Sequence, residues 1–263
     1  MNLVVREVLR VEPSWREKGI VVLARVTDEA VAEFRADKDL EWVQIIRDDF
    51  FNEAALLRAG IKRAGRAMVF ADWSDRNETV TETDAKTVMA AMAIEKLAPQ
   101  TYVVTELLDM EFLQYLKMAR VDEIVYSREY SRVLLANAIA SPGVTHAVFD
   151  LMDPSMPTDL GTAPIAPEFE GKKFSELAAH YESLKMICIG VLENTGNIHT
   201  LKTQALIKAQ KFPQMRTVMK NLSKVKEIEC NHPRINPGDE YVIENVETTR
   251  AIVIRDRVSQ EMP

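Results

Sequence analysis

The chain has 263 residues, enough for two modest domains or one large one. With 47% hydrophobic and 28% charged residues it can bury a sizeable core, which excludes wholesale disorder. Its formal net charge of -7 excludes the basic stripe that nucleic-acid binding requires, so no nucleic-acid partner is expected. The two cysteines, Cys188 and Cys230, are too few for a disulfide framework and suit a reducing cytosol. No window reaches the roughly 18 apolar residues needed to span a bilayer, and the N-terminus, with Arg6, Glu7 and Arg10, is not a signal peptide.

In chain order, Val4, Val5, Val8 and Leu9 repeat at helical spacing with Arg6, Glu7 and Arg10 on the other face. This predicts an opening helix, a strand being the alternative. Ile20-Val21-Val22-Leu23-Ala24-Arg25-Val26 is a continuous apolar run, as expected of a strand buried on both faces. Thr27 and Asp28 offer an N-cap for a helix over 29–35. A strand at Trp42-Val43-Gln44-Ile45-Ile46 and a helix over 52–58 follow, then a third strand at Ala67-Met68-Val69-Phe70-Ala71. The longest helix, 83–97, carries Val88, Met89, Met92, Ala93 and Leu97 at three- and four-residue spacing, and Pro99 stops it. A strand at Tyr102-Val103-Val104-Thr105, a helix over 110–118, a strand at Glu123-Ile124-Val125-Tyr126 and a helix over 130–139 complete the series. Ser141-Pro142-Gly143 ends it.

Strands alternating with helices indicate βαβ units and a parallel sheet, and right-handed crossovers make the fold class α/β, a Rossmann-like doubly wound sheet. Residues 141–163 are broken repeatedly by proline and glycine and read as a linker. A small C-terminal α+β domain then holds a helix over 174–180, a strand over 184–192, Tyr241-Val242-Ile243 and Ala251-Ile252-Val253-Ile254. The basic stretch 201–226 reads as helical in part. The expected domains are 1–140, 141–163 and 164–263.

A doubly wound dinucleotide fold opens with a strand, a Gly-x-Gly-x-x-Gly turn and a helix. That motif is missing, and the opening helix here matches the one that follows the glycine turn. The missing strand would sit at the sheet centre, so its two neighbours would be left with open ladder groups. The expectation is that another segment fills the slot, or that the chain is a fragment of a longer one; the second is preferred.

Gly65-Arg66-Ala67-Met68-Val69-Phe70-Ala71-Asp72, followed by Asp84-Ala85-Lys86-Thr87, resembles the regulator-of-potassium-conductance (RCK) family. So does Val103-Val104-Thr105-Glu106-Leu107-Leu108-Asp109-Met110-Glu111, which continues into Leu116 to Val125. Leu134-Leu135-Ala136 with Ser141-Pro142-Gly143-Val144 looks like the helices that pair such domains. The tail, with Gly171 to Leu177 and Asn236 to Ile243, looks like the family's ligand-sensing subdomain. The resemblance implies a cytoplasmic gating module at the inner face of the cell membrane, partnered with a potassium channel pore or transporter subunit. It also implies a homo-oligomer, built as dimer pairs in a ring, that senses a nucleotide (NAD(H), NADP, ADP or ATP) or a divalent cation such as Ca2+.

The same resemblance marks candidate ligand residues. Arg25 stands where nucleotide-binding members carry a ribose-holding acid, with Asp28 just beyond. A guanidinium there suits a 2′-phosphate or other phosphate; the alternative is a solvated strand end beside a helix cap. Asp48 and Asp49 fall where the family has a Gly-Asp pair near the adenine. Ala71 and Asp72 end a strand at the crevice where open α/β sheets bind ligands. The acids Asp72 and Asp75, with Glu78, Glu82 and Asp84 close behind, offer oxygen ligands to a hard cation, or else form a solvated, cap-rich loop. Glu106 matches a carboxylate of calcium-sensing members, whose second carboxylate is Leu108 here. Cys230-Asn231-His232 alone is too little for zinc. No Ser/His/Asp or Cys/His arrangement suggests catalysis, so the chain is read as a non-enzyme. The competing reading is a truncated NAD(P)-dependent oxidoreductase, which needs a catalytic acid or base in its second domain.

Overall fold

The computed structural model describes residues 2–72, 77–210, 225 and 228–257, and they fall into two compact units, Met1–Glu129 and Tyr130–Pro263. The fold is mixed α/β, with parallel strands in the first unit and a separate antiparallel sheet in the second. No helix among the described residues is long and apolar enough to cross a membrane.

The first unit opens with the expected helix, α1 (Asn2–Val11), and a short helix, α2 (Trp15–Lys18). Then come β1 (Val21–Ala24), α3 (Asp28–Ala36), β2 (Gln44–Arg47), α4 (Glu53–Arg58) and β3 (Arg66–Val69). After α5 (Val80–Leu97) follow β4 (Tyr102–Leu107), α6 (Leu113–Met118) and β5 (Glu123–Tyr126). All the pairings are parallel, as the alternation of strands and helices predicts, but they form two sheets rather than one: β1-β2 and β3-β4-β5. The break falls between β1 and β3, the position at which the sequence lacks a strand.

Side chains alternate across a strand, so β1 feeds two cores at once. Val22 and the preceding Ile20 pack into a cluster with Val5 of α1, Phe34 of α3, Leu40 and Val43. Leu23 packs into the larger cluster built by α4, α5 and α6 against β3 and β4, with Leu56, Val69, Ile94, Leu107 and Leu116. Phe34, Leu40 and Leu116 are fully buried, each worth about 1.5–3 kcal/mol relative to exposure.

Local chemistry sets the ends. Thr27, not Asp28, caps α3, its hydroxyl accepting from the Ala30 amide at 3.2 Å. Asn52 caps α4. A reciprocal box between Thr79 and Glu82 starts α5 three residues before the apolar repeat suggests, at Val80. Its buried face is lined by Ala90, Ala91, Ala93 and Ile94, whereas Met89 and Met92 are exposed. The alanines put little side chain between helix and strands, and the buried stripe excludes the methionines that sequence spacing placed in it. Asp122 accepts from the Val103 amide at 2.7 Å and holds the entry of β5 to β4.

The second unit holds most of α7 (Ser127–Ala140), then α8 (Val144–Met152), β6 (Thr158–Pro164), α9 (Phe174–Ser183), β7 (Ile187–Glu193), α10 (Ile198–Gln210), β8 (His232–Ile235) and β9 (Arg250–Asp256). The stretch read as a linker is thus occupied by α8 and β6. Its prolines, Pro142, Pro154 and Pro157, fall between elements, where they break no ladder. The basic stretch beyond residue 210 lies outside the described residues, apart from residue 225. The strand order is β6-β9-β7-β8, every pairing antiparallel. The segment Tyr241-Val242-Ile243 is not a strand; a single bridge joins Val242 to Lys173, and backbone bonds tie Tyr241 and Ile243 to residues 171–174. Leu177, Val191, Ile243, Ala251 and Val253 form its buried centre. Glu193 accepts from the Tyr241 hydroxyl and from Arg234 Nε at 3.1 Å, which binds β8 and the 241 segment to β7.

β7 carries an irregularity between Cys188 and Gly190. A Cβ at Gly190 would overlap the backbone carbonyl of Arg234 on β8, so only glycine allows this approach. Replacing it, Gly190→Ala, is expected to cost about 1–3 kcal/mol, read as a lower unfolding midpoint of the C-terminal unit in denaturant.

Candidate functional site

The carboxyl ends of parallel strands form the crevice where open α/β sheets take ligands. In the first unit this edge gathers Arg25 after β1, Asp48 and Asp49 after β2, Ala71 and Asp72 after β3, and Glu106 within β4. Within each sheet the strands run in the same direction, so β1 and β2 deliver their last residues to one edge, and β3, β4 and β5 to theirs.

The charges there are paired with one another. Arg25 Nε donates to Asp49 Oδ1, and its guanidinium lies 6.0 Å from the Phe51 ring centre. The side-chain hydrogen bond raises Arg25 above its ordinary value and holds Asp49 below the usual carboxylate range. Asp72 and Glu78 add to the field on Arg25, and Lys86 adds to that on Asp49, which brings these residues into one neighbourhood. Lys86 pairs with Glu78, both about four-fifths buried, and Glu78 Oε2 is buried without a hydrogen-bond partner. Outside this group, Asp48 pairs with Arg58 and the exposed Asp28 with Arg47.

The structure therefore brings Arg25, Asp49 and Asp72 together and places Glu78 and Lys86 with them. It does not bring Asp28 and Asp48 into the group, since each is held by its own arginine. Glu106 Oε2 accepts from the Ala71 amide at 3.1 Å, pinning the end of β3 to β4. Asp75 lies outside the described residues. Among those described, no group of three or more His, Cys, Asp or Glu is arranged to hold a metal ion.

Two acids of the stretch after β3 prove to be structural. Glu82 completes the α5 capping box. Asp84 is fully buried and accepts from two backbone amides beyond β4, Leu108 at 3.2 Å and Asp109 at 2.8 Å. Burial raises its carboxyl above the ordinary value, and the two amides partly offset that rise. Glu78 and Asp84 were read from the sequence only as possible cation ligands or loop acids, and neither the Lys86–Glu78 pair nor the Asp84 clamp was visible as a pattern. Their partners lie on other elements or 8 residues away along the chain, beyond the reach of helical spacing.

With this geometry in place, comparison with known proteins becomes specific. Residues 6–105, from α1 through most of β4, match the family model described as the calcium-activated potassium channel slowpoke-like RCK domain. That match covers 100 of the 263 residues and makes the first unit similar to an RCK domain. The human SLO3 gating ring superposes with a TM-score of 0.62 at 14% identity, covering 92% of this chain and 40% of that one. The likeness extends the shared fold across both units, while the chain spans only 40% of that structure's length. The GsuK RCK domain matches at 15% identity over 93% of this chain and 45% of that one, with a TM-score of 0.34. The TrkA-N domain of the Escherichia coli inner membrane protein ybaL matches at 15% identity over 49% of this chain and 85% of its own, with a TM-score of 0.37. Those two scores are too low to carry an argument. No curated protein matches by sequence.

The Asp84 clamp has a measurable sign. An acid whose folded value is raised binds its proton more readily in the native state, so stability falls as pH rises from the ordinary carboxyl value through the raised one. Asp84→Ala should remove this slope and leave two amides unpaired, at a net cost of about 1–3 kcal/mol at neutral pH. Denaturant unfolding across pH 3–7 checks both.

Proposed function

We propose that this chain is a non-catalytic, ligand-sensing regulatory module that gates potassium flux through a channel pore or transporter subunit, working in the cytoplasm at the inner face of the membrane. The observation that carries the ligand half of the reading is the Arg25–Asp49 pair at the end of β1, with Lys86 and Glu78 beside it. A guanidinium at that rim offers a planar pair of donors to a phosphate, and Asp49 already occupies one of its donors, Nε. A phosphate-bearing nucleotide, of the NADP or ADP/ATP kind, displaces Asp49 rather than filling an open site. NAD(H), which lacks the extra phosphate, is the less suited. A divalent cation is less suited still, since the carboxylates Asp49 and Glu78 already neutralise cationic side chains. The exchange of Asp49 for phosphate frees a carboxylate next to Lys86. That is a charge change at the crevice which two assembly states can read with different affinity.

The assembly half rests on exposed apolar surface. No residue of α7 or α8 is buried, and Leu135, Ile139, Phe149 and Met152 are each more than two-thirds or nearly two-thirds exposed, at 71%, 88%, 65% and 69%. A second exposed set, Met89 and Met92 of α5 with Tyr115 and Met118 of α6, lies on the first unit. Apolar patches of this kind mark contact surfaces, and two of them per chain allow dimer pairs to close into a ring.

Two measurements test the reading. In nucleotide titrations by calorimetry, Arg25→Ala abolishes binding, and Asp49→Asn tightens it about tenfold by removing the internal competitor, a change of about 1.4 kcal/mol. Equal affinity of wild type and Arg25→Ala, or no binding of any phosphate-bearing nucleotide, overturns the ligand half. In native mass spectrometry, Ile139→Glu with Leu135→Glu converts an oligomer to a smaller species; a wild-type monomer at all concentrations overturns the assembly half.

A further inference from the structure

The outer side of α5 departs from the usual pattern of a surface helix. Alanines and Ile94 take its buried face, so the positions opposite are ordinarily charged. Two of them are instead Met89 and Met92, three residues apart on one face and 51% and 57% exposed. The next residue at that spacing is Glu95, which accepts from Arg120 Nη1 at 3.1 Å. Arg120 stands in left-handed backbone, two residues beyond the end of α6. The ion pair brings that end, with Met118 at 77% exposure, to the Met92 turn of α5. Tyr115, also exposed, lies one turn before Met118 on α6. Three thioethers thus share one outward patch.

The core beneath is built differently. The cluster to which α5 and α6 contribute, with Ala90, Ala91, Ile94 and Leu116, contains no methionine among the described residues. Both cysteines, Cys188 and Cys230, belong to the second unit. Chemistry at sulfur in the first unit therefore acts on surface and leaves its core alone. A thioether differs from a leucine of similar size in one reaction. Its sulfur lone pair attacks a peroxide oxygen; an S–O bond forms and the O–O bond breaks. The sulfur loses two electrons, and the leaving hydroxide takes the proton of the transferred hydroxyl to become water. The product is a strongly polar sulfoxide, and burying such an acceptor without a donor is costly.

We propose that Met89, Met92 and Met118 form a modification site, at which a peroxide converts thioethers to sulfoxides and so blocks contact with a second copy of the chain. The contact half rests on the assembly reading given under the proposed function. In the separated chain the three sulfurs are open to a small oxidant. Once oxidised, they no longer fit an apolar partner surface, while the fold that carries them is unchanged.

The test treats the full chain with hydrogen peroxide and then with dithiothreitol, which reverses thiol oxidation but not sulfoxide formation. Peptide mapping reads oxygen uptake, and native mass spectrometry reads assembly. Met89, Met92 and Met118 are expected to oxidise about ten times faster than Met186, which packs against the C-terminal core. Self-association weakens about tenfold or more, and methionine sulfoxide reductases restore it. A chain with Met89→Leu, Met92→Leu and Met118→Leu assembles as wild type does and resists peroxide. Oxidation of Met186 at the same rate overturns the site. Intact assembly of a chain carrying all three sulfoxides, or equal loss in the leucine variant, overturns the effect on contact. A wild type that is monomeric before treatment overturns the assembly reading and the contact half with it, and the mapping still decides the site.

Discussion

A parallel strand carries donors and acceptors along both flanks, and among the described residues β1 pairs only with β2 and β3 only with β4. Much else in the first unit follows from that division. Without a ladder across the centre, side chains join the β1-β2 half to the β3-β4-β5 half: Leu23 in the larger core, Trp15 over Arg66, and the charges around Arg25. Side-chain contacts tolerate small displacements that a hydrogen-bond ladder does not. The two halves of the first unit are thus joined more loosely than the strands within either sheet.

The crevice has a corresponding economy of charge. Among the described residues Arg25 is matched by Asp49 and Lys86 by Glu78, and Glu106 is drawn into holding the end of β3. In a rim built this way, a ligand acts by exchange. Exposed pairs such as Arg25–Asp49 contribute little to stability because solvent screens them, so their rearrangement costs the fold little. The buried Asp84, by contrast, holds fixed the backbone beyond β4 against which such a rearrangement occurs.

The periodicity of the sequence made the βαβ order legible, and the absence of a glycine turn located the break in the sheet before any coordinates. Arg25 and Asp49 were legible as crevice residues because strand ends are predictable, but their mutual pairing was not, since it joins residues 24 positions apart. Met89 and Met92 were misread as core because helical spacing finds a stripe without saying which residue type it buries, and here alanine takes that role. The linker reading of α8 and β6 failed for a related reason. Proline marks ends of elements, and a stretch dense in ends looks like a stretch without elements. β8, with a proline inside a run of four residues, gave no alternating signal; it is an edge strand, where proline is tolerated.

Helix α5 has a consequence of its own. Its 18 residues make a rod about 27 Å long, fastened at the crevice end by the Thr79–Glu82 box, the Asp84 clamp and the Lys86–Glu78 pair. Along its outer side lie Met89 and Met92, and near its far end Glu95 and Lys96 reach Arg120 and Glu53. A rod tied at both ends and packed along its alanine face keeps the distance from Lys86 to Lys96 fixed, so it joins the crevice to the far side of the unit as a strut.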